Sequence, residues 1–359
     1  MLENLYALIM SGGRGKRFWP MSQPTLPKQF MYFAGHGTLF QQVVANLRQL
    51  MLQDRIFTVT FGVYRQLVEA QVPEFHQDNI IVEPARRNTA PCIGLGTIRI
   101  AHLNPDATII TLPSDHYIAD STKFINALRA GVEAAEKYDA LVTLGVQPTF
   151  PHTGYGYIQT STEIDTIQGE RILGVDGFVE KPNREHATKL LETGRCYWNA
   201  GIFIWKARVI LEQFKRQLPG VYDQLLQVAA KRGSPEEQQF LADCYLDMPT
   251  ISIDHAIMQH ASPILMIPTD MGWTDVGSWS ALRALYPSDA SGNLVRGESA
   301  LVDQVSNSTI ISDGQAIVIG AKDLIVVQKG NSVLVCAKGY EDHISALVDR
   351  LESGQQGRG

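Results

Sequence analysis

A doubly wound, mostly parallel α/β sheet followed by a small all-β unit is the fold this sequence predicts. Three observations predict it. Short apolar runs alternate with helical patterns from the start of the chain to about Gly145. Those runs are apolar at successive positions, not at every second one, as strands covered on both faces must be. From about Gly292 the rhythm changes to brief β-rich runs broken by Gly, Asn and Asp, closed by one helical stretch.

In chain order, "LYALIM", "RIFTVTF", "NIIVEP", "ATIITLP" and "ALVTLGV" read as the buried strands. Between them, "TLFQQVVANLRQL" sets Leu39, Phe40, Val43, Val44, Leu47 and Leu50 on one helical face. "TAPCIGLGTIRIAHL" opens at Asn88 or Thr89 with a proline in its first turn, a good helix start. Strand–helix alternation of this kind implies a parallel, doubly wound sheet. After Gly145, "YGYIQT", "ILGVDGFVEKP" and "NAGIFIWK" are strand-like and read as a mixed extension of the same sheet. "ALVDQ", "STIIS", "AIVIG", "LIVVQ" and "SVLVCA" then form the β unit, and "EDHISALVDRLE" its closing helix. No internal repeat or low-complexity linker stands out. A chain of 359 residues exceeds one compact domain. A large domain over 1–288, a small β domain with its helix over 289–351 and a disordered tail over 352–359 are therefore expected.

Composition narrows the ligand. With 45% hydrophobic and 19% charged residues, the chain has material for an ordinary globular core. A formal net charge of −6 argues against broad nucleic-acid or membrane-surface binding, so an anionic ligand must meet a local basic cluster. Cys92, Cys196, Cys244 and Cys336 lie far apart, match no zinc spacing, and read as buried thiols of a reducing compartment. The six-residue apolar run Leu5–Met10 behind Glu3 is too short and too acidic for a signal peptide. No stretch approaches the ~20 apolar residues of a membrane helix. A soluble, cytoplasmic protein is expected.

The local basic cluster lies in "SGGRGKRFWP", Ser11 to Pro20. A Walker A loop needs Gly-Lys followed by Ser or Thr and a glycine five positions earlier. Here Arg17 follows Gly15-Lys16, and Met10 holds the earlier position. A dinucleotide fingerprint starting at Gly13 finds Phe18 where its third glycine belongs. What remains is a glycine turn whose N–H groups can approach an anion closely, with Arg17 and Lys28 adding charge.

The longer stretch "SGGRGKRFWPMSQPTLPKQF" resembles the signature of the sugar-1-phosphate nucleotidylyltransferases. Its Trp-Pro-x-Ser and Pro-Lys-Gln-Phe resemble the bacterial mannose-1-phosphate guanylyltransferase branch of that family. Further blocks follow in family order: "EPARRNTAP", "LPSDH", "TGYGYI", "FVEKP", "NAGIF", "SIDHAIM" and "TDVGSW". The resemblance spans nearly the whole chain. It implies a Rossmann-like nucleotide-diphospho-sugar transferase fold with a β-helix-like C-terminal domain that helps form a homodimer. It also implies the reaction of GTP with mannose 1-phosphate to give GDP-mannose and pyrophosphate, with Mg2+.

Each block carries an implied role. A phosphate monoester with a second pKa of about 6 is already anionic near neutrality, so no general base is needed. Positioning, metal and positive charge then carry the chemistry. The resemblance assigns Arg17 to the leaving phosphates and Lys28 to the α-phosphate. It places Ser11, Gly12, Gly13, Arg14, Gly15, Glu83, Asn88, Thr89, Ser114 and Asp115 around the nucleotide. Asn88 and Thr89 serve equally well as a helix cap. Asp115 ends a strand, at the sheet edge where ligands of open α/β folds collect. Asp115 and Asp275 match the one or two carboxylates that magnesium takes beside phosphates. His116 reads as a packing neighbour. Glu180 and Asn199 are the sugar contacts, Lys181 meets the sugar phosphate, and Gly156 offers a backbone N–H to the sugar or is a hairpin glycine. His255 stands where the family carries an aromatic and is expected to pack likewise. The C-terminal part holds one histidine, His343, so the isomerase domain of some relatives is not expected. A different base or hexose 1-phosphate, or a silent sugar-nucleotide sensor, are the rival readings.

Overall fold

The computed structural model describes residues 4–33 and 37–354. By contact the chain forms two units. One holds the described residues through Gly12, Val43–Ser114 and Ile118–Trp273; the other holds Gly13–Gln42, Asp115–Tyr117 and the chain from Thr274. A single boundary between 288 and 289 does not capture this division, because the glycine loop packs with C-terminal residues distant in sequence. Of the expected tail, Glu352 closes a helix and Ser353 and Gly354 form the turn after it, while 355–359 lie outside the described residues.

The strands in chain order begin with β1 (Leu5–Met10), β2 (Ile56–Phe61), β3 (Ile80–Glu83) and β4 (Thr108–Pro113). Two-residue β5 (Tyr117–Ile118) is followed by β6 (Leu141–Val146), β7 (Tyr157–Ile167), β8 (Glu170–Val179), β9 (Cys196–Lys206) and β10 (Ile264–Pro268). The first unit's sheet runs β3-β2-β1-β4-β9-β6-β10-β8-β7. β1 pairs in parallel with β2 and β4, β2 with β3, and β6 with β10. β9 runs antiparallel between β4 and β6, and β8 antiparallel between β10 and β7. The later strands do extend the sheet, but β9 is inserted into its middle. Its residues explain this: Ala200, Ile202, Phe203, Ile204 and Trp205 are all buried, so neither face tolerates water. The start of β7 also pairs antiparallel with β9, at Tyr157–Gln159, and the exposed stretch Thr162–Ile164 lies past that pairing, where β7 is an edge.

Helices cover this sheet. α1 (Leu39–Leu47) and α2 (Arg65–Gln71) precede α3 (Thr89–Leu103), where the Asn88 side chain accepts the Thr89 N–H at 2.8 Å. α4 (Ser121–Tyr138) is capped by Asp120, which accepts the Lys123 N–H at 3.0 Å. α5 (Arg184–Glu192) is capped by Asn183 in the same way. α6 (Ala207–Gln217), α7 (Pro219–Ala230) and α8 (Glu237–Asp247) pack with α3 over one core containing Leu8, Ile93, Phe203, Trp205, Phe214 and Leu225.

The second unit is built on another core: Phe18, Met31, Phe33 and Leu39 with Val276, Trp279, Leu294, Ile325, Val327, Ile344 and Val348. After β11 (Trp273–Thr274) come β12 (Leu294–Arg296), β13 (Ala300–Asp303), β14 (Thr309–Ser312), β15 (Ala316–Ile319), β16 (Leu324–Lys329), β17 (Ser332–Ala337) and α9 (Ile344–Glu352). β12, β14 and β16 stack in parallel, β13 stacks in parallel on β15, and β17 closes antiparallel on β16. The registers Leu294↔Thr309↔Ile325 and Ala300↔Ala316 show a structural repeat that the apolar patterning did not reveal. Its corners are the left-handed residues Gly292, Asn307 and Asp323, with Asn307 donating to Asp323 at 2.5 Å. Only Cys92 and Cys196 are fully buried; Cys244 and Cys336 are partly exposed, and all four are free thiols.

Candidate active site

In the second unit the glycine loop lines a cavity of about 320 Å³ together with Lys28, Asp115, His116, Asp275, Val276, Gly277 and Ser345. Gly15 lies at φ +61°, and a Cβ there would sit 2.5 Å from that of Lys28. Only glycine permits both this backbone and this approach. Behind it, Pro27 precedes a single turn, Lys28–Phe30, that brings the buried Lys28 ammonium inward. Lys28 Nζ reaches Asp115 Oδ2 at 2.8 Å and donates to the carbonyls of Asp275 at 2.6 Å and Val276 at 3.1 Å. Three acceptors match the three N–H donors of a lysine.

Burial raises the Asp115 carboxyl, but the Lys28 and His116 charges and the hydrogen bonds outweigh it. Asp115 therefore titrates below the usual carboxylate range and is held as an anion. His116 stands beside it, Nε2 to Oδ1 3.9 Å. Asp275 Oδ1 accepts the Gly277 N–H at 2.9 Å. Between them Val276, buried, is held at φ +46°, which a β-branched residue rarely adopts. Asp115 and Asp275 thus line one cavity and share Lys28 as a partner. That pair of hard oxygen donors suits a divalent ion completing its shell with phosphate oxygens and water. Among the described residues no three His, Cys, Asp or Glu side chains gather as a closed metal cage.

The loop cations are paired with carboxylates of α9 and its approach. Arg14 meets Glu352 at 2.8 Å, Lys16 meets Asp349, and Arg17 meets Asp342 at 3.4 Å. Nothing in the sequence pattern anticipated these pairs.

In the first unit, residues of "TGYGYI", "FVEKP" and "NAGIF" converge. A Cβ on Gly156 would lie 2.6 Å from Glu180 Oε2 and 3.6 Å from Asn199 Nδ2, so the glycine keeps a gap that a side chain would close. The Gly156 carbonyl accepts the Asn199 N–H at 2.8 Å. Glu180 and Lys181 follow the end of β8, and Lys181 Nζ lies 3.0 Å from Glu180 Oε1. Lys181 is mostly exposed and lies at φ +46°, a costly backbone for a non-glycine residue. Asn199 Nδ2 donates to Asp254 Oδ1 at 2.8 Å, a partner the motifs did not single out. His255 does not pack as an aromatic would: it is exposed, with Nδ1 2.9 Å from Ser252 Oγ.

A second polar group of the same unit surrounds Glu83 at the end of β3. Glu83 Oε2 accepts the Tyr245 hydroxyl at 3.0 Å, and a Cβ on Gly12 would lie 3.0 Å from Glu83 Oε1. Burial, against the Tyr245 hydrogen bond and the Arg86 charge, pushes the Glu83 carboxyl up to about 7. The Arg86 guanidinium donates to the Gly12 carbonyl at 2.6 Å and lies 4.1 Å from the Phe61 ring centroid. The Ser11 hydroxyl is buried against Thr58 Oγ1 at 2.9 Å, its N–H donates to the Val59 carbonyl at 2.8 Å, and its carbonyl accepts the Thr60 hydroxyl at 3.0 Å. The Ser114 N–H donates to the Met10 carbonyl at 3.1 Å. Asn88 caps α3, and Thr89 Oγ1 accepts the Ile253 N–H at 2.8 Å. Both side chains therefore have structural partners.

The family model for nucleotidyl transferases matches residues 6–291. Over 98% of this chain and 74% of its own, a protein named mannose-1-phosphate guanylyltransferase 2 from Escherichia coli O157:H7 is 34% identical. The alginate biosynthesis protein AlgA of Pseudomonas aeruginosa is 34% identical over 98% of this chain and 72% of its own. A crystal structure of a mannose-1-phosphate geranyltransferase from Thermus thermophilus superposes with a TM-score of 0.86 at 30% identity. That match covers 97% of this chain and 99% of the other.

Proposed function

The chain belongs to the nucleotidyl transferase family, and we propose that within it the protein is a mannose-1-phosphate guanylyltransferase. It would convert GTP and mannose 1-phosphate to GDP-mannose and pyrophosphate. One observation carries the reaction class: a single cavity lined by Arg14, Lys16, Arg17 and Lys28 together with Asp115 and Asp275. Cations gathered with two carboxylates suit a polyphosphate and its counter-ion. The substrates come from the names of the full-length relatives.

In this reading the attacking group is a phosphate oxygen, and the leaving group is pyrophosphate. Arg17, assisted by Arg14 and Lys16, takes the charge that develops on the leaving phosphates. Lys28 acts at the α-phosphate, exchanging one of its three protein acceptors, Asp115 or the two carbonyls, for a phosphate oxygen. Magnesium on Asp115 and Asp275 would withdraw charge from phosphate oxygens. Main-chain groups of Gly12, Gly13 and Gly15, with Ser114, belong to the nucleotide side, and Ser11 anchors the loop to β2 through the Val59 carbonyl and the Thr60 hydroxyl. Glu83, once ionised, offers a carboxylate to the N1–H and 2-amino donors of guanine; Asn88 supports that wall as the cap of α3, and Thr89 by accepting the Ile253 N–H. Glu180, Asn199 and Gly156 receive the sugar, and Lys181 its phosphate. The parallel coil of the second unit is read as β-helix-like. Its exposed Leu301, Ile317 and Ile319 favour the implied homodimer. Among the described residues no helix is long and apolar enough to cross a membrane, in keeping with a cytoplasmic enzyme.

The test crosses four nucleoside triphosphates with mannose 1-phosphate and glucose 1-phosphate, following pyrophosphate release with and without Mg2+. GTP with mannose 1-phosphate should be the best pair by at least about tenfold in kcat/KM, and chelation should abolish it. Faster turnover of UTP or dTTP with glucose 1-phosphate would contradict the proposal.

A further inference from the structure

Asp254 opens a π-turn, Asp254–Met258, a helical irregularity that recurs at functional sites. Its Oδ1 takes one end of the Asn199 amide, accepting from Nδ2 at 2.8 Å. The other end is also held. Asn199 Oδ1 accepts the Gly201 N–H at 3.0 Å and lies 3.4 Å from Thr143 Oγ1. An amide pinned as donor on one side and acceptor on the other has one orientation. The turn itself is anchored to the start of α3. Thr89 Oγ1 accepts the Ile253 N–H at 2.8 Å, and the Ala90 N–H reaches the Ile251 carbonyl at 3.1 Å.

We propose that Asp254 is a positioning residue for the sugar phosphate: its carboxylate fixes the Asn199 amide, whose nitrogen, with Glu180, faces the gap kept by Gly156. The inference rests on the sugar-site reading of Glu180, Asn199 and Gly156. Without the carboxylate, nothing selects the amide's orientation from the Asp254 side, and the array of donors and acceptors facing a hydroxylated ring loses definition.

The surroundings make this contact dependent on pH. Burial first, and then the charge of Glu180, raise Asp254 to about 6; a main-chain hydrogen bond, the Asn199 hydrogen bond and the Lys181 charge pull against them. Glu180 and Lys181 arrive from the end of β8 and Asn199 from β9, while the neighbouring His255 is exposed and bonded to Ser252. The charge-assisted hydrogen bond to the amide is therefore at full strength above that range and weakens as Asp254 takes up a proton.

The experiment uses Asp254→Asn, which keeps the shape and mimics the neutral state. KM for the sugar phosphate and for the nucleotide are measured from pH 5 to 8 in both proteins. The sugar phosphate is the one that the wild type turns over best in the substrate panel. A wrong substrate assignment therefore shows in the panel and leaves this comparison intact. The substrate's own ionisation affects both proteins equally and cancels in their ratio. At pH 8 the variant's KM for the sugar phosphate should be about tenfold higher, the ratio falling toward one at pH 5, with the nucleotide KM unchanged. In an Asn199→Ala background the same substitution should add little, because its effect passes through that amide. A ratio independent of pH, a parallel rise in the nucleotide KM, or full additivity with Asn199→Ala would overturn the proposal.

Discussion

Glu83 shows how burial of one carboxyl sets its charge against the stability of the fold. Its folded carboxyl titrates near 7 against an ordinary 4.5, chiefly because burial penalises the charge. Between those values the folded chain holds a proton that the unfolded chain has released. The resulting cost to stability grows as pH rises through that window and is complete above 7. Its ceiling is about 3 kcal/mol. Glu83→Gln keeps an acceptor for the Tyr245 hydroxyl without the charge. The variant should melt higher than wild type at pH 8 and near wild type at pH 4.5, while its KM for GTP rises about tenfold. An equal gain at both pH values would contradict the raised carboxyl, and an unchanged KM would remove Glu83 from base recognition. This residue was legible in "EPARRNTAP", and so were Glu180, Lys181 and Asn199 in their short blocks. Asp254 was not. It sits inside "SIDHAIM", where the unusual histidine drew attention, and only tertiary packing puts a carboxylate on the Asn199 amide.

At the scale of elements, α9 and the glycine loop form a charge-paired contact. Arg14, Lys16 and Arg17 each face a carboxylate, Glu352, Asp349 and Asp342 respectively. These pairs are at least partly solvated, so each contributes little to folding, but under the proposed function each competes with a phosphate for the same cation. Ile344 and Val348 of α9 are buried in the unit's core, which keeps the helix in place without the pairs. Neutralising all three acids, Asp342→Asn, Asp349→Asn and Glu352→Gln, should lower KM for GTP about two- to fivefold. The melting temperature should hardly move. A raised KM would instead mean that the acids hold the loop in its working shape. The helix was legible from its apolar spacing. Its pairing was not, because ion pairs across more than three hundred positions of chain leave no local pattern.

For the whole molecule, the parallel strands and their helices followed from apolar runs buried on both faces. Two features did not. β9 enters the sheet between β4 and β6, a topological choice that local periodicity does not encode. The second unit gathers Gly13–Gln42, Asp115–Tyr117 and the chain from Thr274, because Phe18, Met31 and Phe33 share a core with Trp279 and Ile325. Its coil could have been found from the spacing of Gly292, Asn307 and Asp323, each followed closely by a β-run. Through this assembly, residues as distant as Lys28 and Asp275 come to one cavity. Phosphate chemistry in that cavity is the premise of the proposed function. The most direct test compares single-turnover rates of wild type, Arg17→Ala and Asp275→Asn at saturating Mg2+ and GTP, with a thermal melt of each. Rates lower by about a hundredfold or more with melting temperatures within a few degrees of wild type are expected. Wild-type rates in both variants, or losses that only track unfolding, would contradict it.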